Sequence, residues 1–292
     1  MPSVSPSAAP DSAWLDAQYD NRARVPDFAS YFERWRAASA LARQAQGTTL
    51  DLRYGDGEGE TLDLFPPSVP VDGPAPVLVF IHGGYWRSLS KADHSFVAPA
   101  FNAAGALVVV PDYALAPAVS VEHITLQMAR ALAWVWRHIA EFGGDPRRIA
   151  VVGHSAGGHA AAMMLSCRWP QLAPDLPASL CTRAMAISGL FDLEPLRHTS
   201  ILQPDLQLTR ASVARLSPAF FPRPKGRLYA VVGGDESDEF LRQNSLIRDV
   251  WGPTSVPVCE TLARSNHFSV LHNLVDPAGR LHDLALRLLD LR

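Results

Sequence analysis

The stretch IAVVGHSAGGHAAAMML, residues 149–165, decides how the rest of the chain is read. Four aliphatic residues, Ile149 to Val152, pass directly into Gly153-His154-Ser155-Ala156-Gly157, and an alanine-rich helical sequence follows without a loop. Strand, tight turn and helix in immediate succession form a unit of a parallel sheet. The flanking sequence repeats the theme, with nearly continuous apolar runs at 77–81, 107–110, 184–187, 228–232 and 256–262. Strands apolar on every residue are those covered on both faces, so an α/β architecture with a mostly parallel sheet is expected. Helices are expected between the strands at 97–103, 125–142 and 159–169, the last ending before Pro170.

Working outward, residues 48–53 and 61–65 alternate around Gly55-Asp56-Gly57 and predict a hairpin. Phe28, Tyr31, Phe32, Trp35 and Leu41 recur at helical spacing, which predicts an amphipathic helix packed on the main body. Leu281, Leu284, Leu288 and Leu289 share one face of a closing helix within 277–292. Residues 1–14, rich in Ser, Pro and Ala, are expected to be a flexible tail, leaving 15–292 as a single domain. The proline-dense connection 191–227 has no clear period and suits a lid or substrate-facing insertion.

Composition narrows the function classes. Hydrophobic residues make up 48% of the 292, enough to fill a large core. The net charge of −3 offers no positive field for a phosphate backbone, so nucleic acid is not an expected partner. Cys167, Cys181 and Cys259 are far apart and odd in number, which indicates neither a disulfide framework nor a zinc knuckle and fits a reducing compartment. The first residues lack a basic and an apolar secretory region, and no run is long enough to span a bilayer. A cytoplasmic protein is expected, acting on a small-molecule substrate without membrane, metal or organic cofactor, with a homodimer left open.

Gly153-His154-Ser155-Ala156-Gly157 has the G-x-S-x-G pattern in the context that gives it chemical meaning, after a strand and before a helix. The glycines make room for a strained turn that presents Ser155 Oγ at the sheet edge, beside the positive end of the helix dipole. The plainer reading, a tight turn with an incidental serine, does not account for strand, motif and helix together. His154, at the variable position, reads as packing. A serine hydroxyl must give up its proton as it attacks, so a base is required. His267 is best placed among the ten histidines, in the loop Ala263-Arg264-Ser265-Asn266 after the last strand, where reacting groups of an open α/β sheet gather. His272 points to another face if its segment is helical, and His282 sits inside the closing helix. His138 and His198 read as ordinary surface or core residues.

The imidazole needs an acidic partner to fix its tautomer. Carboxylates follow the strand 228–232 in Gly233-Gly234-Asp235-Glu236-Ser237-Asp238-Glu239-Phe240, and composition does not choose among them. Some of these acids suit a helix N-terminus instead. The order nucleophile, acid, histidine is that of the α/β-hydrolase fold, a mostly parallel central sheet with helices on both faces. After the strand 77–81 comes His82-Gly83-Gly84-Tyr85-Trp86, whose glycines let backbone N–H groups approach a substrate oxygen. The amides of Gly83, Gly84 and Ala156 are the expected oxyanion hole, and removing one such donor costs about 3–4 kcal/mol in barrier. His82 is expected to hold this loop, and Tyr85 and Trp86 to wall an aromatic leaving group, with core packing the alternative for Trp86.

At HGGYW 82–86, GHSAGG 153–158, ESDEF 236–240 and NHFSV 266–270 the chain resembles the kynurenine formamidase (arylformamidase) branch of the α/β-hydrolases, from about Tyr19 onward. LDAQYDNRARVPD at 15–27 is also similar to bacterial members, and Tyr85 stands where broader lipase-like esterases carry a third glycine. The resemblance puts Glu236 at the catalytic acid's position, although Asp is commoner there and Asp235 could serve by a shift of one residue. It implies Ser155, Glu236 and His267 as a triad hydrolysing N-formylkynurenine to kynurenine and formate. The alternatives are a carboxylesterase for short-chain or aryl esters and a non-catalytic binding protein on the same scaffold.

Overall fold

The computed structural model describes residues 11–292. Its centre is an eight-stranded sheet: β1 (Thr49–Arg53), β2 (Thr61–Phe65), β3 (Ala75–Ile81), β4 (Leu107–Pro111), β5 (Gly144–His154), β6 (Arg183–Ile187), β7 (Arg227–Gly233) and β8 (Val258–Leu262). The spatial order is β1-β2-β4-β3-β5-β6-β7-β8. β1 pairs antiparallel with β2 and β2 with β4, while all other pairs are parallel. The six apolar runs are the six strands β3 to β8, and the expected hairpin is β1 and β2.

Alternation along each strand feeds two cores. Val77, Val79, Ile81, Val109 and Val151 face one side, against the helices Val121–His138, Ala156–Ser166 and Asp238–Ser255. Leu78, Phe80, Val108, Val110 and Val152 face the other, against Phe28–Ala42, Ala98–Asn102 and Arg280–Leu288. Since β3 and β4 are buried at every position, nothing but apolar side chains fits there.

Several boundaries differ from the sequence expectation. Residues 1–10 of the expected tail lie outside the described residues, but Ser12 to Trp14 belong to the helix Ser12–Tyr19, capped by Asp11, which accepts from the Ala13 amide. The helix after β5 ends at Ser166, and Pro170 instead sits in the first turn of a new short helix, Trp169–Leu172, where its missing N–H costs nothing. Leu41 is 72% exposed, because Ser39 and Ala42 continue the buried face of its helix. Segment 191–227 forms short helices at Pro195–His198, Gln203–Leu206, Arg210–Leu216 and Pro218–Phe220, with Phe191, Leu193, Leu196 and Leu206 buried beneath them. No helix among the described residues is long and apolar enough to cross a membrane.

Two histidines are locked inside these layers. His94 stacks among Trp35, Phe80 and His82, and His159 shares a hydrogen bond of 2.7 Å with the Leu216 carbonyl. Burial pushes each from 6.5 down to about 4. As pH falls the unfolded chain takes up these protons first, so their stabilisation is present above about 6.5 and is lost between there and about 4. Urea midpoints should therefore drop as the buffer is taken from pH 6.5 to 4, and a flat profile across that window would contradict this account.

Candidate active site

The pairing of β3 with β5 sets Ile81 opposite Gly153, so the two glycine-bearing loops emerge side by side at the carboxyl ends of adjacent strands. The contact is tight. A Cβ on Gly157 would lie 1.9 Å from the Ile81 carbonyl oxygen, and one on Gly153 would lie 2.0 Å from that of Gly157. Between them Ser155 adopts φ 56° and ψ −119°, a strained conformation for a residue with a side chain. Its amide donates to the Ile187 carbonyl at 2.8 Å, which ties the turn to β6.

The loop after β3 is pinned by His82, as expected. Its ring nitrogens meet the Gly83 carbonyl at 2.8 Å and the Asp112 carboxylate at 3.1 Å, and the ring stacks on Tyr113 at 4.2 Å. A Cβ on Gly83 would stand 3.1 Å from Ser155 Cβ, and Gly84 has φ +111°. Among the described residues, the amides of Gly83, Gly84 and Ala156 donate to no protein group, the last because it opens a helix. Three donors are thus left beside the serine.

His267 and Glu236 arrive from β8 and β7. The Asn266 side chain accepts from the amides of Phe268 and Ser269, at 2.9 and 2.8 Å, which shapes the turn that aims the ring. His267 Nδ1 lies 2.6 Å from Glu236 Oε2. Glu236 Oε1 accepts from the Gly233 amide at 2.8 Å and from the Ser188 hydroxyl. All three groups are buried, so the carboxylate keeps its partners in a medium that strengthens them. Of the two candidate acids, Glu236 makes this contact, whereas Asp235 is exposed and offers only its amide, to the Ser265 carbonyl.

Ser155, His267, Gly83 and Gly84 line one cleft. Among the described residues no hydrogen bond within 3.5 Å joins the Ser155 hydroxyl to the His267 ring, a contact that commonly tightens only when substrate is bound. His154 is more than packing, since its Nε2 donates to the His267 carbonyl at 2.8 Å. Burial, with the neighbouring His267 and His94, holds its pKa well below the usual range, so it is a neutral donor. His282 is buried against Phe101, His272 stacks on Tyr31, and His138 and His198 pair with Glu141 and Glu194.

Of the two proposed wall residues, Tyr85 lines the cleft, with its hydroxyl donating to the Tyr19 carbonyl at 2.8 Å. Trp86 does not. It is buried edge-on to His159 at 5.1 Å, because positive φ at both Tyr85 and Trp86 turns the chain into the core. The aromatic wall comes instead from Phe32, Trp35 and Phe268, two of them in the stripe read as core. Sequence reading also missed Ser188, which carries no motif, and the contribution of Tyr19, Asp20, Asn21 and Arg22 to the cleft.

Comparison with known proteins bears on the family and the fold. A family model described as alpha/beta hydrolase fold matches residues 78–231. Kynurenine formamidase of Danio rerio is 30% identical over 87% of this chain and 86% of its own length. Esterase LipC of Mycobacterium tuberculosis is 35% identical over 47% of this chain and 35% of its own. A crystal structure of a provisionally assigned thioesterase from Silicibacter sp. TM1040 superposes with a TM-score of 0.80 at 30% identity, covering 92% of this chain and 98% of that one.

The two neighbouring carboxylates can be separated by experiment. Glu236→Gln should lower hydrolytic turnover about ten-thousand-fold while leaving the protein folded, as expected for an acid that holds the base's tautomer. Asp235→Asn should change it only a few-fold, and the reverse ranking in steady-state kinetics would remove Glu236 from the site.

Proposed function

The chain belongs to the α/β hydrolases, in their kynurenine formamidase-like branch, and from that premise we propose that it removes the formyl group of an aryl formamide through Ser155, His267 and Glu236. The observation that carries this reading is the cleft itself, where Ser155, His267 and two glycines share one wall with the His267–Glu236 contact of 2.6 Å behind it.

Ser155 Oγ attacks the formyl carbon while His267 Nε2 takes its proton. Negative charge grows on the carbonyl oxygen, and the amides of Gly83, Gly84 and Ala156 receive it without having to reorient. Glu236 steadies the imidazolium formed at this moment, and the Gly233 and Ser188 donors keep that carboxylate aimed at Nδ1. The tetrahedral adduct collapses as His267 hands its proton to the departing aryl nitrogen, leaving a formyl ester on Ser155. Water, deprotonated by the same histidine, attacks that ester and frees formate. For N-formylkynurenine the products are kynurenine and formate.

The walls favour an aromatic leaving group. Phe32, Trp35, Tyr85 and Phe268 line the cleft, and offset stacking of an aryl ring on such faces adds to the area buried. A formyl group is the smallest acyl group, which suits a serine crowded by Gly83. A carboxylesterase for aryl or short-chain esters is the second reading, supported by the likeness to the mycobacterial esterase over 47% of the chain. Cys167, Cys181 and Cys259 are unbridged, which suits an enzyme of a reducing cytoplasm.

Ser155→Ala should abolish hydrolysis and labelling by an organophosphonate while leaving the thermal midpoint near that of the parent. Comparing kcat/KM for N-formylkynurenine with that for phenyl acetate decides between the readings: a formamidase cleaves both, and an enzyme active on the ester alone is the esterase.

A further inference from the structure

Beyond the reacting groups, the cleft carries an unusual pair of charges. Three charged side chains apart from histidine line it, and they are Asp20, Arg22 and Arg87. Arg87 is already engaged, its Nη1 donating to Asp205 Oδ2 and to the Ile201 carbonyl, each at 2.6 Å. Among the described residues neither Asp20 nor Arg22 takes part in an ion pair. One cation and one anion, two residues apart, are therefore available on the same wall.

Arg22 is held without being consumed. Its guanidinium lies over the rings of Phe28 and Phe32, 5.6 Å from each centroid, and Nη2 reaches to 3.5 Å from Ser88 Oγ. Ser88 in turn donates to the Gly84 carbonyl at 3.0 Å, so the guanidinium is tied to the loop that carries the proposed oxyanion donors. A stacked guanidinium keeps its in-plane N–H edge free, and that edge matches a carboxylate two bonds at a time. Asp20 uses one oxygen, Oδ1, to accept from the Ala23 amide at 3.0 Å, and the described residues leave the other without a partner. Phe32, which supports Arg22, also lines the cleft. An aromatic wall thus runs from the reacting groups to a charged end.

We propose that Arg22 and Asp20 are a specificity-determining pair of this cleft, Arg22 taking the carboxylate and Asp20 the ammonium of the amino-acid tail on the aryl formamide; this rests on the formamidase reading above. The pair discriminates as well as binds. A neutral aryl substrate leaves both charges solvated and forgoes the charge-assisted bonds, whereas the zwitterion satisfies them together.

The test uses the full-length enzyme with N-formyl-L-kynurenine, an ortho-acyl formanilide lacking the amino-acid tail, and phenyl acetate. Arg22→Gln should lower kcat/KM for the tailed formamide about tenfold to a hundredfold more than for the tail-less one, chiefly through KM, as expected for loss of a charge-assisted pair. Arg22→Lys should recover part of that difference, because it restores the charge without the planar fork. Asp20→Asn keeps the helix cap and should shift the same ratio in the same direction. Equal losses on both formamides, or none, would overturn the assignment of Arg22 and Asp20. Parent enzyme that cleaves both formamides equally well would overturn the amino-acid recognition while leaving the formamidase reading intact. Parent enzyme that cleaves phenyl acetate alone would overturn both.

Discussion

Where β3 meets the helix beginning at Ala156, a Cβ on Gly157 would stand 1.9 Å from the Ile81 carbonyl oxygen, so only a hydrogen atom fits. That close approach governs the rest of the site. It lets the turn at Gly153 to Gly157 lie flush against the end of β3, and with it the loop of Gly83 and Gly84. Three unspent amides and one strained serine are thereby gathered at a single point, before any substrate arrives. The energy stored in the Ser155 backbone is held by the hydrogen bond from its N–H to the Ile187 carbonyl and by the fully buried strands below. Reactivity here depends on the packing of a sheet that never touches the substrate.

The second half of the site is electrostatic. Glu236 is buried, and a buried carboxylate is costly unless its lone pairs are used. Gly233, Ser188 and His267 use them from three different strand ends, which makes the acid a knot that joins β6, β7 and the loop after β8. The glycine at 233 belongs to the same economy of space, since a Cβ there would meet the Ser265 carbonyl oxygen at 2.2 Å. His154 adds a further tie by holding the main chain of His267.

How much of this was legible beforehand follows from the range of the interactions involved. The strands were legible because interior parallel strands must be apolar on both faces, and the serine turn because its requirements lie within five consecutive residues. Choosing Glu236 over Asp235 needs Ser188 and the loop after β8, both distant in sequence, so neighbouring residues could not decide it. For Trp86 the core-packing alternative holds over the wall, because left-handed backbone at two successive non-glycine positions sends its ring inward, and nothing in HGGYW decides between the two. Leu41 fell off the buried face by one residue, and Pro170 marks a beginning where it was read as an end. The cleft wall built by Phe32 and Trp35 was hidden within a stripe that also serves the core.

The amino-terminal helix Ser12–Tyr19 and the four residues after it lie across the sheet's reactive end, joined to it by the Tyr19 hydroxyl on Glu239, at 2.7 Å, and by Tyr85 on the Tyr19 carbonyl. On the proposed reading, the amino-acid contacts come from this leading segment, while the bond-breaking groups and part of the aromatic wall come from the strand ends. Exchanging that segment between relatives, like an interchangeable visor, is then a route to new preferences at the charged end of the cleft.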